Sequence, residues 1–318
     1  METMELLVIR REEQAPGIIS LELARPDGRP LPHFDAGAHI DLHLGPGLVR
    51  QYSLCNAPGE REVYEIGVLR EPNSRGGSLT VHERALPGER MTVGGPRNLF
   101  ELGDAGHYVL VGAGIGITPI LAMAEALAAS GRSFEAHYFV RAESHIAFRR
   151  RITSTPLARH FHVHVNGPDG TDMAAVDTML ARPAGDRQLY VCGPNGFIEM
   201  LREAAAVRGW NDDDIRFERF AAPPVNGATN RPFTVTLARS RQTFEIAPDQ
   251  TVLSVLEGAG VDIPFSCEQG VCGACVTTVL AGEIDHRDSY LSAAEKAGGR
   301  LFMPCCSRAR SDCLVLDI

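Results

Sequence analysis

The sequence predicts a multidomain chain: a small antiparallel β-barrel, then a parallel α/β domain, then a compact C-terminal domain built around clustered cysteines. Three observations carry this. Over the first hundred residues, short strands with period-two alternation are separated by turn residues. From His107 strand and helix alternate, the pattern of a parallel sheet. Near the C-terminus, Cys267-Glu-Gln-Gly-Val-Cys272-Gly-Ala-Cys275 places three thiols in the spacing C-x4-C-x2-C. The expected boundaries are 1–103, 104–222, a linker at 223–230, and 231–318.

In the first domain, Ile18–Leu23 and His39–Leu44 alternate apolar and polar residues, and Pro26-Asp27-Gly28 and Leu44-Gly-Pro-Gly47 supply turns. So many short strands close most naturally as a barrel. Arg50-Gln-Tyr-Ser53 offers a guanidinium fork, a phenol and a hydroxyl. Arg75-Gly-Gly-Ser78 leaves backbone N–H groups open to an anion.

In the second domain, Tyr108–Val111 reads as a buried strand and Gly112-Ala-Gly-Ile-Gly-Ile117 as a tight turn. Thr118 is expected to cap a helix that has Pro119 at its first position. Ile117 breaks the G-x-G-x-x-G fingerprint, yet a glycine turn before a helix N-terminus still suits a pyrophosphate. Further strands are expected at 134–140, 161–165 and 188–192, and helices at about 144–152, 172–181 and 195–208. Cys192-Gly-Pro194 ends a strand at the edge where such sheets bind ligands. His160, His162 and His164 are expected on one face of a strand, as surface histidines rather than metal ligands.

Pro223 and Pro224 stiffen the linker. Beyond it, 233–237 and 242–246 form a hairpin, 251–259 a helix, and Ser292-Ala-Ala-Glu295 a capping box. Three thiols in one loop with a distant fourth match a plant-type [2Fe-2S] cluster. A structural zinc site instead brings two short knuckles together. Spacing leaves Cys305 and Cys306 open as the fourth ligand, and Cys55 and Cys313 read as buried small hydrophobes.

The formal charge of −9 divides as −4, −2 and −3 among residues 1–103, 104–222 and 223–318. No segment has the basic excess that nucleic acid requires. The uncharged stretch Tyr108–Met123 is interrupted by glycines and Pro119, which fits a strand, turn and helix rather than a membrane span. The acidic N-terminus has only a short apolar run, and clustered thiols without a disulfide framework fit the cytoplasm.

With these pieces in order, the chain resembles the phthalate dioxygenase reductase family, which includes the reductase components of vanillate demethylases. The matching residues are Arg50-Gln-Tyr-Ser53, Arg75-Gly-Gly-Ser78, Gly112–Pro119, Cys192-Gly-Pro194, Glu218-Arg-Phe220 and the cysteine loop. The resemblance implies an FMN barrel, an NADH-binding domain and a C-terminal plant-type ferredoxin (β-grasp) domain. It implies that Arg50, Tyr52, Ser53, Arg70, Gly77 and Ser78 bind FMN. Gly112, Gly114, Gly116, Thr118 and Pro119 hold the pyrophosphate; Cys192, Gly193 and Pro194 face the nicotinamide, and Phe220 lies near the flavin. It points to Cys267, Cys272, Cys275 and Cys305 as cluster ligands.

On this expectation NADH gives a hydride to the flavin, single electrons pass to the cluster, and no side-chain acid or base is required. The implied partner is a Rieske-type oxygenase acting on an aromatic compound. Alternatives are the same relay serving a haem monooxygenase or another acceptor, FAD in place of FMN, and a zinc-stapled binding protein without turnover. Arg141 and Arg149–Arg151 are candidates to meet a 2′-phosphate, were NADPH the donor, but arginine is common in this chain and the resemblance implies NADH.

Overall fold

The computed structural model describes residues 3–45, 48–71, 76–167, 170–181, 186–220, 230–265 and 267–318. Gly47, Arg75 and residues 223–229 of the linker lie outside them. The chain separates into two compact units, Met1–Glu218 and Arg219–Ile318.

The first unit begins with strands β1 (Thr3–Ala15), β2 (Ile18–Ala24), β3 (Ala38–Gly45), β4 (Leu48–Ser53) and β5 (Tyr64–Leu69). Helix α1 (Gly77–Arg84) and strand β6 (Arg90–Asn98) follow. The sheet runs β4-β3-β6-β1-β2-β5 with every pair antiparallel. A bridge from Leu54 to Ile66 joins the two outer strands and closes the predicted barrel. The alternating Leu21 and Leu23, Ile40 and Leu42, and Ile66 and Val68 fill its interior. Burial of these side chains, at about 1.5–3 kcal/mol each, drives the closure.

The same unit continues with β7 (His107–Ala113), α2 (Ile117–Ala129), β8 (Phe134–Val140), α3 (Arg149–Ser154) and β9 (Phe161–Val165). Helix α4 (Met173–Met179), β10 (Arg187–Cys192), α5 (Asn195–Val207) and β11 (Ile215–Glu218) complete it. The sheet is parallel throughout, in the order β11-β10-β7-β8-β9. Helix α2 packs on one face through Leu121 and Leu127. Helices α4 and α5 cover the other through Val176, Ile198 and Leu201. Strand order reverses between β7 and β10, so the crevice beyond their C-terminal ends is the expected ligand edge.

Several local expectations are corrected. Thr118 does not cap α2: a 3-10 turn at Gly114–Gly116 runs straight into the helix, Gly116 takes the cap position, and Thr118 Oγ1 donates to the Ile115 carbonyl at 3.0 Å. The stretch 144–152 is not one helix but a 3-10 turn at 143–145 followed by α3. His160 belongs to a 3-10 turn before β9 and stacks on Phe134, with ring centroids 4.2 Å apart. His162 and His164 do share a face, where both stack on the buried His137. Strand β11 was not foreseen.

The second unit contains β12 (Phe233–Leu237), β13 (Thr243–Ile246), α6 (Val252–Gly258), β14 (Thr277–Ala281), β15 (Ile284–Asp285), α7 (Ala293–Gly298), β16 (Leu301–Phe302), β17 (Arg308–Ala309) and β18 (Cys313–Leu316). Its main sheet runs β13-β12-β18-β14-β16, with β12 and β18 parallel and the other pairs antiparallel. This is the expected ferredoxin-like β-grasp. The capping box at Ser292 and Glu295 is formed, and Thr251 with Ser254 makes a second on α6. Cys55 is fully buried as expected, whereas Cys313 is only half-buried, its thiol donating to the Leu314 carbonyl at 3.5 Å.

Within the first unit one arginine fastens the barrel to the parallel sheet. Arg151 of α3 donates to Glu65 of β5 at 2.7 Å, to the Cys55 carbonyl at 2.8 Å and to Glu125 of α2 at 3.1 Å. Arg151→Met leaves two carboxylates facing each other without a cation, at a cost on the order of 3 kcal/mol. The expected result is a lower Tm for the first unit by calorimetry, with partial recovery in Arg151→Lys.

Candidate functional site

At the C-terminal edge of the parallel sheet, Gly112, Cys192 and Glu218 stand abreast on β7, β10 and β11. The turns that follow β7 and β10 touch. A Cβ at Gly116 would lie 2.2 Å from the Cys192 carbonyl oxygen, and one at Gly193 would lie 2.9 Å from the Ala113 Cβ. Glycine is therefore required for the two turns to close on each other. The backbone stays bare where a nucleotide would lie, and Gly114, at φ 55°, has open space on its Cβ side. The Thr118 methyl lies where a Cβ on Gly67 of the barrel would be, at 2.6 Å, and its hydroxyl is taken by Ile115. Pro119 is buried beside Thr118.

Cys192 is fully buried, and burial raises its thiol well above the ordinary range, with Glu218 adding to the effect. Ser53, at the end of β4, donates to the Glu218 carboxylate at 3.3 Å. Although Glu218 keeps partial contact with solvent, the protein packed around its carboxyl pushes it up to about 8. Ser53, Cys192 and Glu218 are thus grouped where the barrel meets the sheet. In the sequence Glu218 stands in the Glu218-Arg-Phe220 motif with no role attached to it. Its only signal was its place beside Phe220, which is 41% exposed.

On the barrel, Arg50 and Gly77 are adjacent, since a Cβ on Gly77 would lie 2.5–3.0 Å from the Arg50 side chain. The absence of that Cβ lets the guanidinium stem cross the start of α1, where no acidic residue occupies the first turn. Ser78 in the same turn accepts from the Glu71 N–H at 3.0 Å. This donor set fits a terminal phosphate. Tyr52 is largely enclosed, and burial raises its phenol. Arg70 is exposed at the end of β5.

In the second unit the thiols of Cys267, Cys272, Cys275 and Cys305 are all buried. They touch in two pairs, Cys267 with Cys272 and Cys275 with Cys305. Hydrogen bonding from Cys272, supported by backbone N–H groups, holds Cys267 down at about 6, while the same contact raises Cys272. The second pair behaves likewise, Cys275 lowered by its bond with Cys305 and Cys305 raised. The Gln269 N–H points to Cys267 Sγ at 3.3 Å and the Ala274 N–H to Cys272 Sγ at 3.5 Å. Two thiols for each of two irons, with backbone donors aimed at sulfur, is the donor set of a [2Fe-2S] cluster. The Cys306 thiol touches the Cys305 sulfur and also reaches the Met303 carbonyl at 3.9 Å and Ser307 at 3.8 Å, so only its place outside the two pairs sets it apart from the four.

The fold and these sites define an electron-transfer oxidoreductase with flavin, pyridine-nucleotide and iron-sulfur domains in one chain. Residues 235–310 match the 2Fe-2S iron-sulfur cluster binding domain family. The chain is 46% identical over 317 residues to the vanillate O-demethylase oxidoreductase of Pseudomonas sp. (strain HR199 / DSM 7063), covering 99% of this chain and 100% of that one. It also matches the solved structure of phthalate dioxygenase reductase, a modular structure for electron transfer from pyridine nucleotides to [2Fe-2S]. That match has a TM-score of 0.78 and 39% identity over 99% of this chain and 98% of that one. An intact type IV self-sufficient cytochrome P450 monooxygenase aligns with a TM-score of 0.83 and 39% identity, over 99% of this chain and 41% of that one. The chain belongs to the phthalate dioxygenase reductase family. Among the described residues, no helix is long and apolar enough to cross a membrane.

Glu218 gives a signed expectation for pH. Its ordinary value of 4.5 is raised to about 8 on folding. Between these values the unfolded chain has lost a proton that the folded chain keeps, so stability falls as pH rises through this window. Glu218→Gln cannot ionise and escapes that loss. Its Tm relative to the parent protein should be more favourable at pH 8 than at pH 5, and a difference that stays constant with pH contradicts the assignment.

Proposed function

We propose that this protein takes a hydride from NADH and delivers single electrons, through FMN and a [2Fe-2S] cluster, to a Rieske-type oxygenase component acting on an aromatic compound. The observation that carries the reading is the pairing of four buried thiols two by two, in a chain that also holds a phosphate cradle and a bare nucleotide edge. Similarity to an oxidoreductase of vanillate O-demethylation over the full chain supports the oxygenase partner. The domain assignment follows: residues 1–103 for flavin, 104–222 for NADH and 231–318 for the cluster.

FMN, when bound, supplies the conversion of a two-electron donor into one-electron steps. The chain's own residues bind and orient. Arg50, Gly77 and Ser78 would receive the flavin phosphate, which favours FMN over FAD because the cradle suits a terminal dianion. Tyr52 and Ser53 would line the ring site. Gly112, Gly114, Gly116, Thr118 and Pro119 would hold the dinucleotide pyrophosphate, and Cys192, Gly193 and Pro194 would let the nicotinamide lie flat against backbone. Two of the four arginines that would meet a 2′-phosphate are already engaged: Arg149 donates to the Glu143 carbonyl at 2.6 Å, and Arg151 is held by Glu65 and Glu125 in its latch. Their commitment supports NADH over NADPH. Cys267 and Cys272 would hold one iron, Cys275 and Cys305 the other.

A second reading replaces the Rieske partner with a haem monooxygenase, and similarity to part of a self-sufficient P450 favours it specifically. Reduction rates against purified Rieske oxygenase and P450 acceptors separate the two.

Anaerobic NADH should bleach both the flavin and the cluster absorption bands of the purified protein, and heat should release FMN. Cys305→Ser should lose the cluster absorption and most of its bound iron, whereas Cys306→Ser should keep both. Retention of the cluster in Cys305→Ser with loss in Cys306→Ser would reverse the ligand assignment.

A further inference from the structure

Between β15 and α7 the chain crosses the cysteine loop as a short strap, and one buried carboxylate holds it there. The Ser289 N–H donates to the Gly270 carbonyl at 2.9 Å, tying the strap to the loop between Cys267 and Cys272. The Asp288 side chain is 0% exposed. Its Oδ2 accepts from the Leu291 N–H at 2.8 Å and its Oδ1 from Ser307 Oγ at 3.3 Å. Asp288 therefore touches both arms of the ligand set, since Gly270 precedes Cys272 by two residues and Ser307 follows Cys305 by two. The packing is tight: a Cβ on Gly270 would lie 3.0 Å from the Asp288 Cα and 2.4 Å from the Cys306 Sγ.

Among the described residues the carboxylate has one fixed cation. Lys296, the sole lysine of the chain, places its Nζ 3.6 Å from Oδ2 and donates to the Asp288 carbonyl at 2.6 Å. His286 lies against the other oxygen, its Nδ1 3.5 Å from Oδ1, and neither ring nitrogen makes a hydrogen bond among the described residues. A buried charge beside a redox centre acts through a poorly screened field. Cluster potentials respond to net charge and to hydrogen bonds near the sulfurs.

We propose that Asp288 and Lys296 are positioning residues for electron delivery: the pair clamps the two cysteine arms together and sets the potential at which the cluster takes up and releases its electron. The inference rests on the reading of the cysteine loop as a [2Fe-2S] site. An electron added to the cluster is opposed by the Asp288 charge and favoured by the Lys296 charge. Removing each charge must therefore move the potential in opposite directions, which a merely structural role would not produce.

The test is a redox titration of the full-length holoprotein, followed by electron paramagnetic resonance, with iron and sulfide content measured on each sample. Asp288→Asn should raise the midpoint potential. At the poise where the parent is half reduced, its reduced-to-oxidised ratio should rise about tenfold, or about 59 mV for a one-electron couple. Lys296→Met should shift the midpoint downward, and Lys296→Arg should restore it. Shifts of the same sign in both variants, or no shift in variants with full cluster content, would overturn the proposal. If Asp288→Asn does not load iron, the lysine series decides: a lowered midpoint in Lys296→Met with recovery in Lys296→Arg supports the pair, and an unchanged one overturns it. A parent protein without a [2Fe-2S] signal would instead defeat the reading of the cysteine loop itself.

Discussion

The contact on which the first unit depends is the closure of two turns with nothing but backbone between them. Gly116 lies so close to the Cys192 carbonyl that any side chain would collide with it. That closure occurs where the strand order reverses, between β7 and β10, so it stands at the one place along the sheet edge where helices diverge to opposite faces. From it follow the bare edge beyond Gly112, the position of Cys192 abreast of it, and the place of Glu218 one strand further out. The barrel is then brought to this edge by Ser53, Gly67 and the Arg151 latch.

The two units solve the problem of holding a site in different ways. The first has large apolar cores on the barrel interior and on both sheet faces, and it adds few buried polar contacts at the seam. The second has a single core and must hold two cysteine arms that are distant in sequence. It does this with polar ties. The Arg308 guanidinium donates to the carbonyls of Gln250, Arg231 and Ala247 at 2.6–3.1 Å and lies over the Phe233 ring. Asp288 performs the corresponding task from the strap side. Through Asp288 and Ser307 the side chains of the β15–α7 segment and of the β16–β17 turn interlock, while the His286 ring beside them is left without a hydrogen bond among the described residues.

Much of this was legible in the sequence because it follows from local pattern. Period-two alternation marked the barrel strands, the change of period at His107 marked the parallel sheet, and cysteine spacing marked the loop. The features missed or misplaced depend on residues far apart. Ser53 and Glu218 are separated by 165 positions, and no periodicity connects them. Arg151 reads as one of three consecutive arginines until folding shows that it alone reaches Glu65 and Glu125. Thr118 has the residue type of a helix cap, but the preceding glycines already turn the chain in 3-10 geometry, and the helix starts before it. His160 has the spacing of a strand residue, yet Pro156 begins a 3-10 turn that carries it out of β9.

The cysteine loop was the clearest signal in the sequence, and the structure adds a separation of roles around it. The sulfurs receive backbone N–H groups, which are fixed by the fold and carry no net charge. The fixed charge of the Asp288–Lys296 pair lies behind the loop, with the carboxylate wholly shielded from solvent. Exposed charges act on an acceptor across water and are screened within about 10 Å at moderate salt. On the proposed arrangement the Asp288–Lys296 pair acts on the cluster from behind the loop, through a carboxylate that water does not reach.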